Sequence, residues 1–386
     1  MLEGHAARHE RGPPLNPGGT ESAGSGSERR AGRRAKLLLV LGALVGTFAV
    51  LELGLRLFGP SYAAPPLRFR FANRLDAALG SEEGLFEASE TLFWDLAPGA
   101  RVPHGGDRIN PQRMRGPERA LAASPGVFRI ALLGDSCTYG MGVELEQTYA
   151  VRLEELLRAE AGTDGVEVLN GGVPGYSLVQ GAAKFEQQLA PYAPQLVIAY
   201  LGAWNDFGPA MGASDRAQRA GARTRLQRWN ELLLRSRVIE ALQARYGSAL
   251  RYRHWRATLD EWLVQEPSGG YRVPPEDFAQ TLQELLDACS AAGARALLIL
   301  PELNADYGED HPRAFERLER YRNLLREGAQ RNGAATLDQR EVYRLAGHPP
   351  ERLFLDVVHP SALGQDLLAD ALARTIQAQG WIAEQD

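Results

Sequence analysis

FRIALLGDSCTYG (128–140) is the stretch that decides the fold. Its first seven residues form a short apolar run ending on glycine, the pattern of a strand buried on both faces. GDSCTYG turns the chain, and EQTYAVRLEELLRAE (146–160) follows with helical spacing. The alternation then repeats outward. VEVLN (166–170) reads as a second strand and LVQGAAKFEQQL (178–189) as a helix, before a third strand at QLVIAYLG (195–202). A helix near 276–292 precedes a fourth strand, ARALLILP (294–301), and a helix near 312–331 precedes a short fifth, AATLD (334–338). LGQDLLADALARTIQAQ (363–379) closes the domain as a helix. Apolar strands alternating with helices predict an α/β domain, its parallel five-stranded sheet covered on both faces.

The flanks differ in kind. Residues 1–28 are rich in Gly, Pro, Ser and charge, which predicts disorder. Arg29, Arg30, Arg33, Arg34 and Lys36 complete a basic tail over 1–36, followed by LLLVLGALVGTFAVLELGLRLF (37–58). As a helix that apolar run spans about 33 Å, enough for a bilayer core, so 37–58 is expected to be a transmembrane anchor. The basic cluster should stay cytoplasmic, placing everything after Phe58 outside the cytoplasm. A cleaved signal peptide and a buried core helix are the rival readings of the same run. Residues 59–125 carry Pro, Gly and scattered aromatics without periodicity and are expected to form an extension packing on the main domain, 126–386.

A formal net charge of -5 over 386 residues argues against a nucleic-acid partner. Cys137 and Cys289 are the two cysteines, too few for a disulfide framework, and no Cys/His set has zinc spacing. GxxxxGK[ST] and GxGxxG are both absent, so neither a metal nor a cofactor is expected. The segment 208–275 interrupts the strand–helix rhythm. Between Arg216 and Arg256 it holds 11 arginines against Glu231 and Glu240, interleaved with Trp229, Tyr246, Tyr252 and Trp255. It reads as a helical insertion, either a solvated cap or a surface for anionic lipid headgroups.

Four motifs carry chemistry. GDS (134–136) sets Ser136 at a strand's carboxyl end and a helix's start, where free N–H groups stabilise an anion. LNGGVPGYS (169–177) ends the second strand with Gly171 and Gly172, which permit close backbone approach. LGAWND (201–206) ends the third with Asn205, a side-chain N–H donor. LDVVHPSALG (355–364) spaces Asp356 and His359 three residues apart, and no other histidine has an acid at that offset. Taken singly, each reads as a cap or a tight turn. Taken together, they supply what ester cleavage needs: a serine activated by a base, a carboxylate holding that base, and donors for a tetrahedral oxyanion.

With these four motifs in order, the stretch 126–386 resembles the SGNH, or GDSL, hydrolases. The resemblance implies a three-layer α/β/α, flavodoxin-like fold. It implies Ser136 as nucleophile, His359 as general base and then acid, and Asp356 as its orienting partner. It implies an oxyanion hole from the N–H groups of Ser136 and Gly172 and the side chain of Asn205, the N-x-G spacing favouring Gly172 over Gly171. The GxSxG elbow of the α/β-hydrolases is absent. The expected activity is hydrolysis of a carboxylic ester, such as an O-acyl group on an envelope glycan or a lipid. O-acetyl transfer to an envelope polysaccharide and an inactive glycan-binding module are the competing readings.

Overall fold

The computed structural model describes residues 25–59 and 84–382, apart from 104, 163, 211–212, 222–234, 240, 243–269 and 309. Of the residues expected to be disordered, 1–24 lie outside the described residues and 25–28 are helical instead; the start of the extension and most of the insertion, with Arg223, Trp229, Tyr246, Tyr252 and Trp255, also lie outside the described residues. The chain divides into two compact units, Met1–Ser61 and Tyr62–Asp386.

In the first unit, helix α1 runs from Ser25 to Phe58. It begins upstream of the apolar run because Glu28, Arg29, Arg30 and Ala31 are good helix formers that extend it from its apolar nucleus. Within Arg33–Phe58 the most apolar 18-residue window has a mean hydropathy of 2.2. The 26 residues of this stretch span about 39 Å, long and apolar enough to cross a membrane and equally compatible with a signal sequence. Arg56 pairs with Glu52 one turn away, 2.7 Å apart.

The second unit opens with a hairpin, β1 (Phe86–Ser89) and β2 (Phe93–Leu96), paired antiparallel. The main sheet follows: β3 (Phe128–Gly134), β4 (Val166–Asn170), β5 (Leu196–Tyr200), β6 (Arg295–Leu300) and β7 (Ala335–Asp338). All neighbours are parallel, in the order β4-β3-β5-β6-β7. Its helices are α2 (Ser136–Tyr139), α3 (Tyr149–Ala161), α4 (Leu178–Lys184), α5 (Asp215–Arg219), α6 (Pro275–Ala291), α7 (Pro312–Asn332), α8 (Gln339–Ala346), α9 (Pro350–Leu353) and α10 (Ala362–Ala378). Helices α3, α8 and α10 pack together in one layer, and α4, α6 and α7 in the other. The fold is therefore the expected three-layer α/β/α. In this strand order the winding reverses at β3, so the ligand crevice lies beyond the carboxyl ends of β3 and β5.

Local departures from the sequence reading have local causes. Thr148, whose hydroxyl accepts the Val151 N–H, caps α3 so that it starts three residues late. The helix expected over 178–189 is α-helical to Lys184 and continues as a π turn over Phe185–Leu189.

Residues 84–125 bear directly on the serine turn. Arg115 is 1% exposed and donates to the carbonyls of Tyr139, Gly140 and Val143 at 3.2, 2.6 and 2.9 Å, while Asp107 balances its charge at 2.9 Å. A cation on these carbonyls satisfies the open end of a one-turn helix. The hairpin forms a second small core, in which Leu85, Leu92, Trp94 and Leu96 meet Tyr139, Val173 and Tyr176. Lys184 and Asp95 pin it to α4 through a buried ion pair of 2.7 Å.

The described edges of the insertion are tied down as well. Arg216 donates to both oxygens of Glu284 at 2.7 Å, and Arg219 lies 3.4 Å from Glu186. These two arginines are thus ion-paired with α6 and with the π turn after α4.

Candidate active site

Strand β3 delivers the chain to a turn that tolerates no side chain at its first position. A Cβ on Gly134 would lie 1.8 Å from Thr138 Oγ1. Asp135 caps α2, one carboxylate oxygen accepting the Cys137 N–H at 2.9 Å. Ser136 begins that helix, 6% exposed, where a backbone N–H has no intrahelical acceptor.

The spacing in Asp356-Val357-Val358-His359 has a structural reason. Asp356 Oδ1 accepts the N–H groups of Val358 and His359 at 2.9 and 2.8 Å, which curls the chain back on the carboxylate. The imidazole is thereby returned to Oδ2, with Nδ1 2.6 Å away. Nε2 lies 2.8 Å from Ser136 Oγ. Leu355 N–H bonds His359 O at 2.8 Å and closes the base of the loop. Burial raises the Asp356 pKa, but its hydrogen bonds and the charge of His359 outweigh that and hold the carboxyl below its usual value. An ionised carboxylate only accepts, so Nδ1 carries the proton and Nε2 offers a lone pair to the serine hydroxyl.

Asn205 is 9% exposed, and its Nδ2 donates to Asp135 Oδ2 at 2.7 Å. Asp135 therefore links the serine turn to the end of β5. It takes one of the two amide hydrogens, fixes which way the carboxamide faces, and leaves the second hydrogen free to donate. Burial pushes the Asp135 pKa up, against the Cys137 and Asn205 hydrogen bonds and the charge of His359. Next to Asn205, Asp206 accepts the N–H groups of Leu178 and Gly202 at 2.7 and 2.8 Å. Burial pushes its carboxyl up to about 7.

Gly172 is placed otherwise than the N-x-G spacing suggests. A Cβ there would sit 2.3 Å from Tyr139 N, so the residue is the contact between the second motif and α2. Its N–H already donates to Asn170 Oδ1 at 3.0 Å. Gly171 N–H is likewise engaged, by Leu132 O at 2.9 Å. In the turn that follows, Val173 N–H donates to Gly134 O at 3.1 Å, which sets residues 173–176 beside the serine turn. Gly175, at φ 80°, has an N–H with no acceptor among the described residues.

Several supporting residues carry no motif in the sequence. Gln365 joins α10 to the site, donating to Cys137 O at 3.1 Å and accepting from Tyr149 N at 2.9 Å. The Cys137 thiol, 3.4 Å from Val358 O, ties α2 to the histidine loop. Burial raises the thiol pKa far above its usual value, which leaves it unreactive. Among the described residues no group of three His, Cys, Asp or Glu side chains could hold a metal ion.

A family model described as GDSL-like Lipase/Acylhydrolase matches residues 132–266 and 268–367. No curated protein matches the sequence. Among solved structures, an alpha/beta hydrolase enzyme from the metagenome of Lake Arreo, Spain, is 20% identical with a TM-score of 0.45, covering 67% of this chain and 97% of its own. An acetylxylan esterase from Geobacillus stearothermophilus is 18% identical with a TM-score of 0.43, covering 66% of this chain and 95% of its own. A lipase/acylhydrolase from Enterococcus faecalis is 16% identical with a TM-score of 0.42, covering 66% and 97%.

Proposed function

The chain belongs to the GDSL-like lipase/acylhydrolase family, and from that premise we propose that it is a serine esterase cleaving a carboxylic ester through an acyl-enzyme on Ser136. The observation that carries the proposal is the unbroken relay Ser136 Oγ–His359 Nε2–His359 Nδ1–Asp356 Oδ2, with links of 2.8 and 2.6 Å.

The chemistry follows from that relay. His359 Nε2 takes the hydroxyl proton as Ser136 Oγ attacks the ester carbon. Asp356 stabilises the imidazolium that forms. The tetrahedral oxyanion is met by Ser136 N–H, the second hydrogen of Asn205 Nδ2 and a backbone N–H from the turn after β4. For that last donor, Gly175 is the better candidate, since Gly172 N–H is bound to Asn170. Collapse expels the alcohol, which leaves with the proton from His359. Water then repeats the cycle on the acyl-enzyme and frees the acid.

The span-like composition of α1 and the basic cluster before it support a membrane-anchored enzyme with its domain outside the cytoplasm. An ester near a membrane, such as an O-acyl group of an envelope glycan or a lipid, suits that placement. Purified protein incubated with a chromogenic acetyl ester, with and without an added glycan acceptor, tests the activity. Release of free acetate independent of acceptor is the expected result. Acetyl transfer to the glycan at the expense of free acetate would make the enzyme a transferase, and no turnover in either arm would end the proposal.

A further inference from the structure

The insertion (208–275) begins just after Asn205, and its described ends, 208–210 and 270–275, lie together. Its two ends are laced together by backbone bonds from Ala210 N to Gly270 O (2.8 Å), Arg272 N to Gly208 O (2.7 Å) and Val273 N to Asp206 O (3.0 Å). The returning strand carries Arg272, which is 5% exposed. A buried guanidinium is expensive unless every donor finds an acceptor, and its acceptors here are specific. Nη1 donates to Gly175 O at 2.8 Å, Nε and Nη2 to Asp215 Oδ2 at 3.1 and 2.7 Å, and Nη2 also to Gln180 Oε1 at 2.7 Å. Asp215 balances the charge, and its Oδ2 also accepts the Ser177 hydroxyl at 2.7 Å.

These bonds converge on residues 173–177. The same turn is held from another side by the hairpin: Trp94 Nε1 donates to Pro174 O at 3.1 Å, and Tyr176 OH to Trp94 O at 2.7 Å. The Arg272 guanidinium lies 5.8 Å from the centre of the Trp94 ring, within cation–π range. Consecutive carbonyls, those of Pro174 and Gly175, are thus each fixed by a buried side chain from a different segment. The Pro174 carbonyl shares its peptide plane with the Gly175 N–H, so Trp94 sets the direction of that N–H, while Arg272 holds the next plane and so restrains the φ and ψ of the glycine between them.

We propose that Arg272 is a positioning residue: by holding the Gly175 carbonyl it locks the glycine's φ and ψ, keeps the N–H that Trp94 orients through Pro174 O in place for the oxyanion, and couples the insertion to the reaction centre. This rests on the esterase reading of the site. An N–H held in place beforehand stabilises the transition state without reorganisation, whereas a loosened turn must be ordered each time charge develops. The expected defect is therefore in kcat and leaves ground-state binding unchanged.

The test uses Arg272→Met and Arg272→Lys in the full-length protein. Lysine keeps a charge opposite Asp215 but lacks the planar fork that reaches Gly175, Asp215 and Gln180 together. Both variants should lose kcat on a small acetyl ester by about 10- to 100-fold, with KM changed less than about twofold. Amide hydrogen exchange over 173–177 should speed up, while exchange over 128–134 stays at the wild-type rate. Wild-type kcat in both variants would overturn the proposal and leave the esterase reading standing. Full recovery of kcat by lysine, or exchange that accelerates equally over 128–134, would overturn it too and assign Arg272 a purely structural role. A wild-type protein without ester turnover would remove the reading of the site itself.

Discussion

Asp135→Asn is the most informative single change, because it alters one atom and reverses the logic of a donor. Asp135 accepts at both oxygens, from Cys137 N at 2.9 Å and from Asn205 Nδ2 at 2.7 Å. With asparagine at 135, one oxygen becomes an amide nitrogen. If the remaining oxygen keeps the cap on Cys137, two amide nitrogens face each other. Asn205 can relieve this by rotating its carboxamide, which restores the hydrogen bond but turns a lone pair toward the oxyanion. Stability should therefore fall by no more than about 1–3 kcal/mol, the cost of one unsatisfied buried group, and by less if the flip occurs. Catalysis should lose a full oxyanion donor, about 10²–10³ in kcat, with KM little changed. Asn205→Ala should cost a similar amount. The double variant should be no worse than either single one, because both remove the same donor. Steady-state kinetics on a chromogenic acetyl ester, with thermal unfolding alongside, measures all of this. An Asp135→Asn enzyme within about threefold of wild-type kcat, or losses that multiply in the double variant, would refute the reasoning.

Other expectations concern stability and the membrane. Burial lifts Asp206 to about 7, against about 3.9 for an unfolded aspartate. Between those values the folded state holds a proton that the unfolded chain has lost. This group's contribution should therefore fall as pH rises from about 4 to 7, by up to about 1.4 kcal/mol per pH unit, and level off above. Asp206→Asn should remove that slope, read as the wild-type-minus-variant difference in denaturant stability, and a difference that is flat or rises with pH would contradict it. Deleting residues 1–58 should give a soluble protein with full kcat on a small ester, since Tyr62–Asp386 has its own core; loss of that activity would show α1 to be needed for the site. Arg216→Glu with Arg219→Glu should leave the affinity of that truncated protein for anionic vesicles unchanged, because both arginines already face acids, and should cost under about 1 kcal/mol per exposed pair. A salt-sensitive fall in vesicle binding would make both arginines lipid contacts.

The strands and the serine–histidine pair are legible in the sequence because they rest on local signals. A doubly buried strand must be a continuous apolar run, and Asp356 and His359 meet through hydrogen bonds within four residues. The hairpin at 86–96 is not legible. Its strands are four residues each, Phe93 takes a positive φ of 69°, and its stability comes from contacts with Tyr139, Val173 and Tyr176 far along the chain. Arg115 and Arg272 are hidden differently. In a chain whose positive charge is nearly all arginine, nothing local separates a buried guanidinium on backbone carbonyls from a solvated one. The N-x-G spacing misleads at Gly172 for a related reason. A glycine needed for close packing against Tyr139 N looks the same in sequence as one whose N–H faces a ligand.

Covalent trapping tests the central claim most directly. Short incubation of the protein with an activated acetyl ester, acid quench, digestion and mass analysis should find the acetyl group on the peptide containing Ser136. The adduct should accumulate in His359→Gln if added imidazole drives acylation, and should be absent from Ser136→Ala. Ester turnover in Ser136→Ala above about one per cent of wild type, or an acetyl group carried reproducibly on another side chain, would contradict the account.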